Sequence, residues 1–145
     1  MLIFTRRLSS LASPTEEILF TLHLTAEERT RSRYCFQSPT YQPLSLQLPR
    51  GTILQDGDFL QTESAELIQI KAKPEPVITI TAGDPLLLLK AAYHLGNRHV
   101  TLEIHPHYLR LTPEPILETM LEKFGVTISR EIAPFSPEVG AYHHD

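Results

Sequence analysis

The chain lacks the raw material of several common functional classes. It has one cysteine, Cys35, in 145 residues, so no disulfide can close within it and no cysteine-ligated zinc site can form. A fold held by its core alone suits a reducing, cytoplasmic setting. No apolar run approaches the ~18 residues of a membrane span. The start, Met1 to Arg7, places its basic pair after the apolar residues and has no small-residue cleavage site, so neither membrane insertion nor export is expected. Positive charge is scarce too: 13 Lys and Arg against 17 Asp and Glu leave a net charge of −4, with no general field for nucleic acid or an anionic membrane. The 6 glycines are dispersed, so no glycine-rich phosphate loop exists, and no His-Glu-x-x-His helix is present. Cys35 has no histidine near it in sequence and reads as a small buried apolar side chain. These absences leave no local signal for catalysis, and the chain is not expected to be an enzyme.

Proline is abundant, with 12 residues, and it marks where the pattern changes. Lys71-Ala-Lys-Pro-Glu-Pro76 forbids helix and predicts an extended connector, so a boundary is placed at residues 73 and 74. Before it, short β-prone runs recur at Leu2–Thr5, Ile18–Leu24, Arg33–Phe36, Leu44–Leu48 and Ala65–Ile70, separated by turn signals. Residues 1–73 therefore read as a small all-β domain. Thr25 and Glu28 match a capping box and predict one helical turn at Thr25–Arg29.

Residues 74–132 have another rhythm. Pro76–Thr81 reads as a strand, and Asp84-Pro85 caps a helix over Leu86–Leu95, with Gly96 expected in the left-handed terminal position. Val100–Ile104 and Tyr108–Leu111 read as a hairpin. Pro113-Glu-Pro115 opens a second helix with apolar positions Ile116, Leu117, Met120, Leu121 and Phe124, ended by Gly125. Val126–Glu131 is the last strand. The order βαββαβ is that of a ferredoxin-like domain, making the whole an α+β protein. Residues 133–145, with no periodicity, are expected to be a flexible tail.

Six of the seven histidines, at 94, 99, 105, 107, 143 and 144, lie in this second half. Neutral imidazole is the usual protein ligand for nickel, zinc and copper, so the clustering raises a metal site. His99 stands between a helix end and a strand, where rigid elements can hold a reachable side chain. From spacing alone, the plainer reading is a partly exposed loop histidine bonded to a carbonyl. His94 at the helix end suits the helix dipole, and His105 and His107 flank a turn proline as surface residues. His143 and His144 could swing in to complete a site. Arg29, Arg31 and Arg33 alternate and, on an extended backbone, would share one face open to an acidic partner.

Ala92-Tyr-His-Leu-Gly-Asn-Arg-His-Val100 resembles the UreE family of urease accessory proteins, nickel metallochaperones. The likeness extends through Leu24-Thr-Ala-Glu-Glu-Arg29 with Ser32-Arg33, Leu48-Pro-Arg-Gly51, Asp56-Gly-Asp58 and Ala133–Tyr142. It implies a β-rich partner-binding domain followed by a ferredoxin-like metal-binding domain. It also implies a homodimer in which His99 of each subunit binds one Ni(II) on the twofold axis, with Asn97 and Arg98 shaping the surroundings and His143 or His144 as supplementary ligands. The partners implied are the urease apoprotein complex and the accessory GTPase UreG. Relatives with a histidine pair before the last helix differ here, where Thr112-Pro-Glu-Pro115 stands, so one ion per dimer is expected. Zn(II) or Cu(II) suits the same donors.

Two further readings compete. One is a general protein-interaction module or co-chaperone with incidental metal binding. The other is a small metal-dependent hydrolase, which would need an acid or base near His99, with Glu103 and Asp84 the nearest carboxylates in sequence.

Overall fold

A computed structural model describes residues 1–11, 13, 15–37 and 42–142. The chain divides between Lys73 and Pro74 into two compact units.

The first unit is built on six strands: β1 (Leu2–Leu8), β2 (Thr21–Leu24), β3 (Arg33–Phe36), β4 (Leu44–Gln47), β5 (Phe59–Thr62) and β6 (Leu67–Ala72). They form one mixed sheet in the order β2-β6-β5-β1-β4-β3. The β1–β4 and β2–β6 pairs are parallel, and the β1–β5, β3–β4 and β5–β6 pairs are antiparallel. Its core gathers Phe4, Leu24, Leu44, Leu46, Leu48, Leu54, Leu60, Ile68 and Ile70. Each such side chain stabilises the fold by about 1.5–3 kcal/mol through removal from water. Strand β5 is absent from the pattern reading, since Phe-Leu-Gln-Thr is short and follows directly on the Asp56-Gly-Asp58 turn. That turn is tied at both carboxylates: Asp58 Oδ2 accepts from Gln55 N–H at 2.8 Å and pairs with Arg7 at 3.2 Å, and Asp56 Oδ1 accepts from Ala72 N–H at 2.8 Å.

The capping box forms as reciprocal bonds, Thr25 N–H to Glu28 Oε1 at 2.9 Å and Glu28 N–H to Thr25 Oγ1 at 3.2 Å, and opens a 3-10 turn over Glu28–Thr30. Two expectations are corrected here. The extended segment that would align three arginines does not form, because its first arginine lies in the turn. Cys35, expected inside, is exposed on the edge strand β3.

The second unit follows βαββαβ: β7 (Glu75–Thr81), α1 (Pro85–Asn97), β8 (Glu103–Ile104), β9 (Leu109–Leu111), α2 (Pro115–Lys123) and β10 (Thr127–Ala133). The sheet is antiparallel in the order β10-β7-β9-β8, the ferredoxin-like arrangement. Pro76 sits in β7 opposite Ile132, so the proline-rich segment enters the sheet rather than standing apart as a connector. Its missing N–H is tolerated at the second residue of the strand, ahead of the β9 pairing that begins at Ile78.

Asp84 Oδ1 accepts from Leu86 N–H at 2.9 Å and Pro85 takes the first helical position, so α1 begins as its sequence directs. Glu114 caps α2 in the same way, accepting from Leu117 N–H at 2.7 Å. Gly125, at φ 78°, ends that helix in the left-handed region open to glycine. Leu88, Ala91 and Leu95 of α1 pack with Leu121 of α2 over Ile78, Ile80, Leu109 and Leu111.

The expected tail is shorter than anticipated. Strand β10 continues to Ala133, Phe135 is buried, and Val139–Tyr142 forms a second 3-10 turn. His143 and His144 lie outside the described residues.

Candidate metal centre

The end of α1 builds the site. The helix continues through Gly96 to Asn97, and the left-handed position falls on His99, at φ 56°, rather than on Gly96. His99 N–H donates to Gly96 O at 3.0 Å and Val100 N–H to Leu95 O at 3.1 Å, the paired bonds of a Schellman motif. Leu95 is fully buried and Val100 packs on the same core, completing the apolar contact that accompanies this motif. The backbone under His99 is thus fixed from both sides. A histidine in the left-handed region costs on the order of 1 kcal/mol relative to glycine, and such strain concentrates at functional positions.

The His99 side chain is exposed, as are Gly96, Asn97 and Arg98 before it. It borders a groove of about 240 Å³ with Ala92, Gly96, Leu102, Ile104, Glu138 and Gly140. This groove shares Ala92 and Ile104 with a larger apolar one of about 410 Å³ lined also by Leu88, Leu89, Pro106 and Leu109. Helix α1 also leaves large apolar side chains in water: Leu89, which lines the larger groove, is 67% exposed, and Leu86 and Tyr93 are 51% and 66% exposed. Exposed apolar clusters of this kind are candidate contact surfaces. Among the described residues no three His, Cys, Asp or Glu converge on one point. Those residues of a single chain therefore do not assemble the three or four ligands of a retained structural or catalytic metal.

The other histidines have separate surroundings. His94 stacks on Phe124 at 4.9 Å, so it serves packing at the helix end. His105 is no simple surface residue, since its Nε2 meets Glu103 Oε2 at 2.5 Å and its ring stacks on Tyr108 at 4.2 Å. His107 is exposed.

Neither carboxylate considered for a hydrolase serves His99. Asp84 caps the opposite end of α1, about 20 Å away along a 13-residue helix. Glu103 is buried and engaged by His105, Arg110 and Ser136 N–H.

Of the three arginines, Arg29 is 3% exposed and donates to Leu24 O at 2.9 Å, so it braces the fold and cannot face a partner. Arg31 is bidentate to Glu27, at 3.1 and 2.8 Å, and lies over the Tyr34 ring at 4.5 Å. The hydrogen bond it donates to Glu27 is the main reason its guanidinium is held above its ordinary range. Arg33 is exposed on β3.

No helix among the described residues is long and apolar enough to cross a membrane. Residues 4–73 match the family model described as UreE urease accessory protein, N-terminal domain, and residues 75–145 match the one for its C-terminal domain. The urease accessory protein UreE of Microcystis aeruginosa is 62% identical over 99% of this chain and 94% of its own length. That of Nostoc sp. is 59% identical over 91% of this chain and 90% of its own. A longer relative of the same name, from Burkholderia lata, is 46% identical over 84% of this chain and 59% of its own length. With both halves matched in order and identity this high along the whole sequence, the chain belongs to the UreE family of urease accessory proteins.

Proposed function

We propose that this chain is a nickel carrier in urease maturation, binding Ni(II) as cargo between two copies of itself and releasing it to the assembling active site. The observation that carries this reading is the position of His99: an exposed imidazole on a locked, strained backbone, at the end of an unpartnered apolar helix face. On an isologous interface a residue meets its own copy, so one ligand per chain becomes two per ion. An ion held by two imidazoles, with the remaining positions filled by water or by His143 and His144, can be handed on, whereas a closed four-ligand site keeps its metal. Asn97 and Arg98, the last helical residue and the cap, set the direction from which the ring is presented. Zn(II) and Cu(II) suit the same donors, and family membership favours nickel. The urease apoprotein complex and the accessory GTPase UreG are the expected partners, docking on the β-rich unit where Arg31 and Arg33 lie at the exposed edge.

Calorimetry with Ni(II) should find one ion per two chains, with binding lost or weakened at least about a hundredfold in His99→Ala. Unchanged affinity in that variant would refute the assignment. Imidazole ligates only when neutral, and its ordinary pKa is about 6.5, so protons compete with metal and affinity should fall from pH 7 to pH 5.

A further inference from the structure

We propose that Glu103 is a positioning residue that clamps the C-terminal strap, Pro134 to Tyr142, against the β8 edge of the sheet and so sets the wall of the His99 groove. The strap's anchoring is independent of metal; its effect on metal rests on the reading of His99 as a ligand.

Strand β8 is the outer strand of its sheet, next to β9 alone. The strap runs beside this edge and is held by two bonds, Ser136 N–H to Glu103 Oε1 at 2.7 Å and Glu138 N–H to Leu102 O at 2.8 Å. Phe135, 1% exposed, is the plug preceding the first bond. After the second, Glu138 and Gly140 line the groove beside His99.

Glu103 is 7% exposed, and a carboxylate that deep is tolerated only when its oxygens are engaged. Oε2 meets His105 at 2.5 Å and Arg110 at 3.9 Å, while Arg110 is held in turn by Thr79 Oγ1 at 3.1 Å and by the Tyr108 ring. These groups come from β7, β9 and the turn before it, so they lock the carboxylate and leave Oε1 aimed at the strap. A backbone N–H bonded to such a fixed, charged acceptor is stronger than one bonded to a neutral group. The strap therefore reaches the groove from one fixed point.

The test uses the full chain. In the metal-free protein, the Ser136 and Glu138 amides should exchange at least about tenfold faster in Glu103→Ala and within about threefold of wild type in Glu103→Gln, which keeps an acceptor oxygen. Ser136→Pro, which removes the donor from the exposed side, should free Glu138 as Glu103→Ala does and gives the same reading should that variant not fold. For Ni(II), Glu103→Ala should weaken binding about tenfold, and ending the chain at Tyr142 should weaken it in the wild-type background but add nothing in Glu103→Ala. Unchanged amide exchange would overturn the clamp. Faster exchange with unchanged nickel affinity, while His99→Ala loses binding, would overturn the positioning role alone. Retained affinity in His99→Ala would overturn the carrier reading, and the exchange data would still judge the clamp.

Discussion

His99 occupies a backbone conformation that glycine adopts freely and most side chains avoid, so its presence there is paid for in stability. His99→Gly should raise the unfolding free energy by about 0.5–1 kcal/mol while abolishing nickel binding, and His99→Val, β-branched at positive φ, should lower it. Thermal unfolding beside calorimetry separates these effects; a stability loss in the glycine variant would mean the strain is not real. Arg29 presents the opposite case. Its guanidinium is buried against the Leu24 carbonyl, so Arg29→Ala should destabilise the protein by about 1–3 kcal/mol without altering metal stoichiometry. Denaturant unfolding measures that loss, and a change below about 0.5 kcal/mol would refute the bracing role. The two residues also mark what local pattern conveys. The neighbourhood of His99 was legible because helix end, glycine and strand follow one another in sequence. The burial of Arg29 was not, because alternation of charge says nothing of a capping box that folds the segment into a turn.

At the scale of elements, both helices declare themselves through Asp84-Pro85 and Glu114-Pro115, where side-chain cap and proline act within one turn. Ends set by glycine were less secure: Gly125 terminates α2, but Gly96 lies inside α1, since a glycine near a helix end is compatible with either role until the terminal hydrogen bonds are known. Strand β5 carries no signal of its own because Phe59-Leu-Gln-Thr62 follows directly on the Asp56-Gly-Asp58 turn, and its pairing with β1, far back along the chain, leaves no local trace. The strap was read as loose for want of periodicity, when a buried phenylalanine and two bonds to distant residues hold it. Gly96 now gains a different meaning. A Cβ built there meets nothing within 4 Å in its own chain. Gly96→Ala should therefore stabilise α1 by up to about 1 kcal/mol, and the bulkier Gly96→Leu should fold equally well yet impair nickel binding and self-association by filling the groove beside His99. Stability by calorimetric scanning with nickel titration distinguishes the outcomes; normal loading in Gly96→Leu would argue against a close approach there.

For the whole molecule, the exposed Leu86, Leu89 and Tyr93 present more apolar surface on one helix than a solitary domain needs. Replacing two of them, in Leu89→Glu with Tyr93→Glu, should shift sedimentation toward the single chain, with little loss of thermal stability because neither side chain belongs to the core. A sedimentation profile identical to wild type would remove this face from the proposed dimer contact. The α+β architecture was readable because each half repeats a simple rhythm, whereas the covering of β8 depends on contacts between residues more than thirty positions apart.

The register of β7 against β10 carries one more consequence. Glu75 lies opposite Ala133, so the strand that opens the ferredoxin-like unit and the strand from which the strap departs share a rung of the sheet. A pull applied between Glu75 and Ala133 would therefore open the β7–β10 pairs one rung at a time, from that end toward Thr81 and Thr127.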